Sequence, residues 1–317
     1  MSTSNPTILD KINASFSGHE TFPFRYTWLK KGVDAVDKVK GKPTIFANDD
    51  ATITLGVGKN MVRSIHHWCQ TAGLIEGDGV DADNRRRFVP TDRGDKIFAD
   101  DGFDPYLEDV ATLWILHWQL ATNVNRATTW FWAFSIFGQN EFRKEVFIAE
   151  LIDWTERNTQ RISEKSIARD VDCFLRTYVP SHLTKTTIIE DTFDCPLVEL
   201  NLISSLPDGN TYRFHRGPKP SLPIEIFAAA LSDFWEVRFS GNNSLTLANI
   251  AYSESSPGRT FLLDEDTLVE YLDKLENLTD GALRYDETAG MKQVHRRKKI
   301  APMELFNQYY RGNPPAY

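Results

Sequence analysis

"LGVGKNMVRSIHHWCQTAGLIEG", residues 55–77, decides how the chain is read. Gly56 and Gly58 form a tight turn that ends a short helix over "DDATITLG", and Asn60 opens the next one. Met61, Ile65, Trp68 and Cys69 recur at the spacing of one helical face, and that second helix stops at Gly73. A Leu-Ile pair, the polar loop "DGVDADN" and the strand "RRRFVP" follow, and "PTDRGDKIF" begins another helix. Helix, tight turn, longer helix and two strands predict a winged helix-turn-helix over 44–100. In that fold the second helix enters the major groove and the hairpin touches the phosphate backbone.

The same order recurs downstream. "FRKEVFIAELIDWTERN" and "SEKSIARDVDCFLRTYV" read as two amphipathic helices, with Ser163 or Ser166 as cap of the second. After "SHLTKTTIIEDTFDC" comes "LVELNLISSLPDGNTYRFHR", again a Leu-Ile, a Gly/Asp/Asn turn and a basic strand. A third copy starts at "PIEIFAAALSDFWEVRF", continues through two helices joined by a loop at "SESSPGR", and ends in a hairpin over "TDGALRYDETAGMKQVHRR". Between the first two lies "DPYLEDVATLWILHWQLATNVNRATTWFWAFSIF", whose apolar residues recur at helical spacing. It reads as a buried helical connector. The rival reading has Trp130, Phe131 and Trp132 stacking on bases. The expected fold class is therefore mainly α with small β hairpins (α+β), as tandem winged helix-turn-helix modules joined by a helical linker. The expected division is a cap segment over 1–43, module one over 44–100, the connector over 101–140, module two over 141–220 and module three over 221–317.

A chain of 317 residues has ordinary globular composition and a net charge of −8. An acidic average argues against indiscriminate nucleic-acid binding. The basic residues, however, bunch at Arg85–Arg87, in "YRFHRGPK" (212–219) and in "KQVHRRKK" (292–299). No apolar run is long enough to span a membrane, and the first residues lack a secretory pattern, so the expected compartment is the cytoplasm, with no membrane partner. Cys69, Cys173 and Cys195 are far apart and read as buried thiols rather than disulfides or zinc ligands.

Lys59, Asn60 and Arg63 stand at the front of the second helix of module one, where Arg and Asn read base edges in bidentate fashion. Arg85, Arg86 and Arg87 fall on its hairpin, where contacts are mostly to phosphates. Arg213, Arg216 and Lys219 form the corresponding basic strand of module two. "LGVGKN" lacks the spacing of a phosphate loop. No Glu-x-Lys or His-x-Lys occurs, so the common metal-nuclease and phospholipase-D-type signatures are missing.

"SFSGHETFPFRYTWLKKG" (15–32) mixes charge and aromatics before the first module. Phosphodiester cleavage needs a base or metal ligand, a clamp for transition-state charge and an acid. His19 and Glu20 are candidates for the first role and Arg25 for the second. The alternative is a structural cap in which Glu20 pairs with Arg25. Asp172 and Arg176 read as an intrahelical pair, and Asp286 and Glu287 as turn residues.

"FSGHETFPFRYTWLKKG", "LGVGKNMVRSIHHWC", "DPYLEDVATLWILHWQLA", "RDVDCFLRTYVPS", "DCPLVELNLI", "YRFHRGPKPSLP", "SPGRTFLLDED" and "LRYDETAG", in that order, resemble one bacterial family over about residues 15–310. It was catalogued as a domain of unknown function and includes the SspB-like proteins of single-strand DNA phosphorothioation systems. The resemblance implies a DNA-nicking protein. It would act with a cysteine desulfurase, an ATP-pyrophosphatase-like sulfur transferase and an ATPase to place sulfur on the DNA backbone. His19, Glu20 and Arg25 lie in the family's most distinctive stretch. A divalent metal, Mg or Mn, is the expected cofactor, with no ligand set specified by motif. The rival functions are a non-catalytic DNA-binding adaptor that recruits the sulfur-transfer enzymes, and a protein whose modules bind only other proteins.

Overall fold

The computed structural model describes residues 12–37, 45–47, 50–80, 84–158, 162–180, 195–288 and 290–313. The stretch 181–194, with most of "SHLTKTTIIEDTFDC", and parts of the expected cap segment lie outside the described residues. Thirteen α-helices and eight short strands make up the described part.

The first group is α1 (Trp28–Asp37), α2 (Ala51–Leu55), α3 (Lys59–Thr71), the hairpin β1 (Ile75–Val80) and β2 (Arg86–Pro90), and α4 (Asp92–Phe98). Gly56 ends α2 in the left-handed conformation, as the turn reading requires. The buried stripe of α3 is Val62, Ile65, Trp68 and Cys69. Met61 sits one position off it, half-buried. Thr91 caps α4 by accepting from the Gly94 N–H at 3.0 Å.

Next come α5 (Val110–Thr122) and α6 (Thr128–Ser135), buried nearly all round. Trp130 and Trp132 are 1% and 2% exposed, so they pack the interior and offer no face to a base. A helix apolar on every side must be covered on every side. Here α8 packs on α6, and α9 and α11 pack on α5 or α6.

The second group is β3 (Glu141–Arg143), α7 (Lys144–Asn158), α8 (Glu164–Tyr178), a 3-10 turn at Pro196–Leu200, β4 (Ile203–Ser205) and β5 (Thr211–Phe214). The third is α9 (Ile224–Phe239), β6 (Ser244–Thr246), α10 (Leu247–Tyr252), the one-turn α11 (Pro257–Thr260), α12 (Glu265–Leu278), β7 (Leu283–Thr288), β8 (Met291–Arg296) and α13 (Pro302–Gly312). Both groups fold a three-stranded antiparallel sheet of the same topology, β3-β5-β4 and β6-β8-β7, in which the strand ahead of the helices pairs with the last strand.

Four local expectations change. The short leading strands β3 and β6 join what read as two-stranded hairpins. "SESSPGR" contains α11 rather than only a loop. Asp286 and Glu287 lie in β7, not in a turn. Asp172 pairs with Lys144 of the neighbouring helix, and Arg176 reaches only the Asp172 carbonyl within its own helix. All three cysteines are buried thiols.

Candidate nucleic-acid interface

The segment 15–27 is a strap between two helices that are a hundred residues apart in the chain. One end is tied to the connector, where Ser15 N–H donates to Thr128 Oγ1 at 2.9 Å. Ser17, Glu20 and Thr21 then adopt left-handed φ values of 68°, 50° and 68°. These turns send successive side chains to different neighbours, where an extended segment would alternate them between two faces.

His19 is driven inward and is 1% exposed. Its ring stacks on Trp68 of α3 with centroids 5.6 Å apart and an interplanar angle of 12°. Its Nδ1 accepts from Thr21 N–H at 3.1 Å, so the proton sits on Nε2, which donates to Asp170 Oδ1 of α8 at 2.6 Å. The same carboxylate oxygen accepts from Ser17 N–H at 2.8 Å. Gly18 lies against His67 of α3, where an added Cβ would be 2.5 Å from Nδ1. The Phe22 carbonyl accepts from Trp68 Nε1 at 2.8 Å.

On the outer side the strap joins the helices again. Glu20 Oε1 lies 3.3 Å from Arg63 Nη1 of α3, and the next residue, Thr21, offers its carbonyl to Arg176 of α8. Arg63 and Arg176, both exposed, therefore meet on adjacent strap residues. Arg25 does not pair with Glu20 as expected. Its guanidinium lies over the Trp28 ring, 5.5 Å from the centroid.

Lys59 and Asn60 are exposed in the first turn of α3, on the same helix as Arg63. This surface thus gathers Lys59, Asn60, Arg63, Glu20 and Arg176, with His19 beneath it. Arg85 and Arg86 are exposed at the hairpin, and Arg87 donates to the Asp78 carbonyl at 3.1 Å across it. The second-group cations divide. Arg213 is tied to Glu141 on the paired strand at 2.7 Å. Arg216 is exposed, with no hydrogen-bonded or ion-paired side chain among the described residues. Lys219 is 8% exposed, and its ammonium donates to the carbonyls of His215 and Gly217 at 2.8 and 3.0 Å. Burial lowers its pKa to about 8. Lys219 is thus a buried clamp on the 215–217 loop, not a surface phosphate contact.

The sequence reading gives Arg176 only an intrahelical role beside Asp172 and leaves Asp170 without a partner; the structure ties both to the strap. A signal existed for Asp170. Ile167, Asp170, Val171 and Phe174 share the buried face of α8, so an aspartate stood on an apolar stripe and needed a buried partner.

Among the described residues there is no group of three or more His, Cys, Asp or Glu side chains able to hold a metal. A dedicated protein cage for Mg or Mn does not fit these residues. Mg2+ often keeps most of its waters and uses only one or two carboxylates, and Glu20 is one partly exposed carboxylate on this surface.

Over residues 16–310 the chain matches the family described as "Protein of unknown function (DUF4007)". No curated protein matches it. A crystal structure of SspB is 30% identical and superposes with a TM-score of 0.85, covering 97% of this chain and 92% of SspB. A magnesium-bound SspB structure is also 30% identical, with the same TM-score and 98% and 93% coverage. The chain belongs to the DUF4007 family and is an SspB-like protein.

Proposed function

We propose that this protein binds DNA and nicks it within a phosphorothioate backbone-modification system that serves anti-phage defence. The observation that carries the reading is the strap, which brings the N-terminal half of α3 and the face of α8 onto one surface through Glu20–Arg63 and Thr21–Arg176. Each of the three groups reads as a winged helix-turn-helix module, over 44–100, 141–220 and 221–317, with 1–43 as cap and 101–140 as connector. The sheet order shared by the second and third groups supports their reading as two related modules. In this reading α3 presents Lys59, Asn60 and Arg63 to a groove, while Arg85, Arg86, Arg87 and Arg216 contact phosphates and Arg213 does so once released from Glu141.

Glu20 and Arg25 stand at the reacting phosphodiester in this proposal. Glu20 would orient the attacking water, and Arg25 would face developing phosphate charge. His19 acts through Asp170, holding the strap turn rather than touching substrate. The cysteine desulfurase, the ATP-pyrophosphatase-like sulfur transferase and the ATPase of such a system are the proposed protein partners, in the cytoplasm.

A second reading, a non-catalytic DNA adaptor for those enzymes, is favoured by the burial of His19 and by the lack of a three-ligand metal group among the described residues. One assay separates the two: conversion of supercoiled plasmid to the open circle, with Mg2+ or Mn2+. The expected result is nicking by the wild type and its loss in Glu20→Ala and Arg25→Ala, with DNA binding retained. Undiminished nicking by both variants would move the reacting centre elsewhere. Binding without nicking in either metal would establish the adaptor.

A further inference from the structure

The basic run 292–299 takes no part in the surface above. Its placement follows from strand register. Val294 is buried, so residues one step away on β8 point to the other face. There His295 stands directly across from Arg284 of β7, and Asp286 lies two positions further along the same face. Arg284, His295, Arg297, Arg296, Asp286 and Asn243 line a cleft of about 390 Å3 beside this sheet.

The charges in the cleft do not cancel. Arg296 is satisfied by Glu236 and lies over the Trp235 ring at 4.7 Å. Asp286 already accepts from Thr288 Oγ1 at 2.9 Å. Among the described residues Arg284 has only a long contact to Glu276, 3.7 Å. The Arg297 guanidinium has no carboxylate partner among the described residues. Two exposed guanidiniums and an imidazole thus face one occupied carboxylate, an arrangement that calls for an anion. The walls decide which anion. Every lining residue is polar or charged and the one ring among them is the His295 imidazole, so the cleft offers hydrogen-bond donors to an anion and no apolar wall to a nucleobase. Arg297 also borders a neighbouring groove of about 570 Å3, where Lys298 is matched by the carboxylates of Asp280 and Glu304, so the cationic surface is confined to the cleft itself.

We infer that the cleft of Arg284, His295 and Arg297 on the β6-β8-β7 sheet binds phosphodiester groups of a nucleic-acid backbone, as a contact separate from the α3–α8 surface. The inference rests on the DNA-binding reading and adds to it a second, sequence-independent grip in the third group. Phosphate oxygens also occur in free nucleotides, and the test distinguishes the two sources.

The measurement is binding of a 40-base-pair duplex by the full chain across a salt series, for the wild type, Arg284→Gln/Arg297→Gln, and Lys59→Ala/Arg63→Ala. Each phosphate contact contributes about 0.9 to the slope of log K against log salt, so the Arg284/Arg297 pair is expected to lower the slope by about 2 and to weaken binding about tenfold or more at low salt. Arg284→Lys/Arg297→Lys is expected to restore most of the slope, which a folding defect would not allow. ATP at millimolar concentration is expected to bind no more weakly to Arg284→Gln/Arg297→Gln than to the wild type. An unchanged slope in that variant, while Lys59→Ala/Arg63→Ala still weakens binding, overturns this inference and leaves the DNA reading intact. ATP binding that depends on Arg284 and Arg297, without an effect on the duplex, also overturns it. A wild type that binds no duplex at low salt overturns both.

Discussion

Asp170 Oδ1 holds two donors at once, the Ser17 amide and the His19 imidazole, in a site where the residue is 1% exposed. The strap has no helix or sheet ladder of its own over 15–25, so this oxygen stands in for one. Its second oxygen has no partner among the described residues, which makes the two bonds to Oδ1 the reason the buried carboxylate is tolerated. Replacing Asp170 with Ala strands a buried imidazole and a buried amide together. The expected loss is about 3 kcal/mol of unfolding free energy, read from urea denaturation. Asp170→Asn keeps an acceptor in the same place and is expected to lose less than half as much. Equal losses in the two would mean that the charge, rather than the acceptor, holds the strap. From sequence, His19 read as a base because imidazole next to carboxylate is reactive chemistry when exposed. Burial against Trp68 converts the same side chain into a fastener, and that depends on contacts 49 and 151 residues away, which no local window contains.

At the scale of elements, α3 was legible because its apolar residues follow the 3.6-residue period and glycines punctuate both ends. The leading strands β3 and β6 were not. Three residues are too few for a period of two to declare itself, and their pairing is set by β5 and β8 far along the chain. The connector was legible as helix, yet its Trp130-Phe131-Trp132 cluster admitted a base-stacking reading until α8 was seen to cover it. Gly94 marks a further limit. The Pro-Thr-x-x-Gly pattern announced the start of α4, but composition gives no reason for a glycine there. The reason is close approach: a Cβ at 94 would fall 2.0 Å from the Leu74 carbonyl oxygen, which already accepts from Thr91 N–H at 2.9 Å. Backbone cannot swing aside as a long side chain can. Gly94→Ala is therefore expected to push α4 off the turn between α3 and β1, although alanine has the better intrinsic helix propensity. The expected cost is about 2 kcal/mol or more, read as a fall in Tm of several degrees. A neutral or stabilising Gly94→Ala would show that α4 can shift without loss.

Across the whole molecule the average charge of −8 says little about any one surface, because cations and carboxylates pair locally in different proportions. Charge along the sequence showed the clusters, but only strand register put Arg284 opposite His295, and only the strap joined Arg63 and Arg176 through the adjacent residues Glu20 and Thr21. What ties the groups together at this scale is burial, and burial has a titration signature. His66 and His67 on α3 are half-buried and His117 on α5 is fully buried, all as neutral rings. Desolvation lowers their pKa values to about 4, 3 and 4. Arg126 adds to the effect at His66 and His67, His19 adds at His67, and Lys219 adds at His117, where the bond to the Thr260 carbonyl opposes it. The folded values lie below the ordinary 6.5, so between pH 6.5 and about 4 the unfolded chain takes up protons that the folded chain refuses. Stability must then fall as pH falls through that window. By pH 5 the loss is on the order of 2 kcal/mol for a ring titrating near 4. His66 offers a clean test. It stacks on Phe46 at 4.4 Å and meets Phe88 edge-on at 4.6 Å, and its Nε2 is buried without a partner among the described residues. Phenylalanine there loses no hydrogen bond. His66→Phe is expected to match the wild type within about 1 kcal/mol at pH 7.5 and to exceed it by about 2 kcal/mol at pH 5, in paired urea titrations. If the two proteins lose stability in parallel between those pH values, His66 is not among the groups that make the fold acid-sensitive.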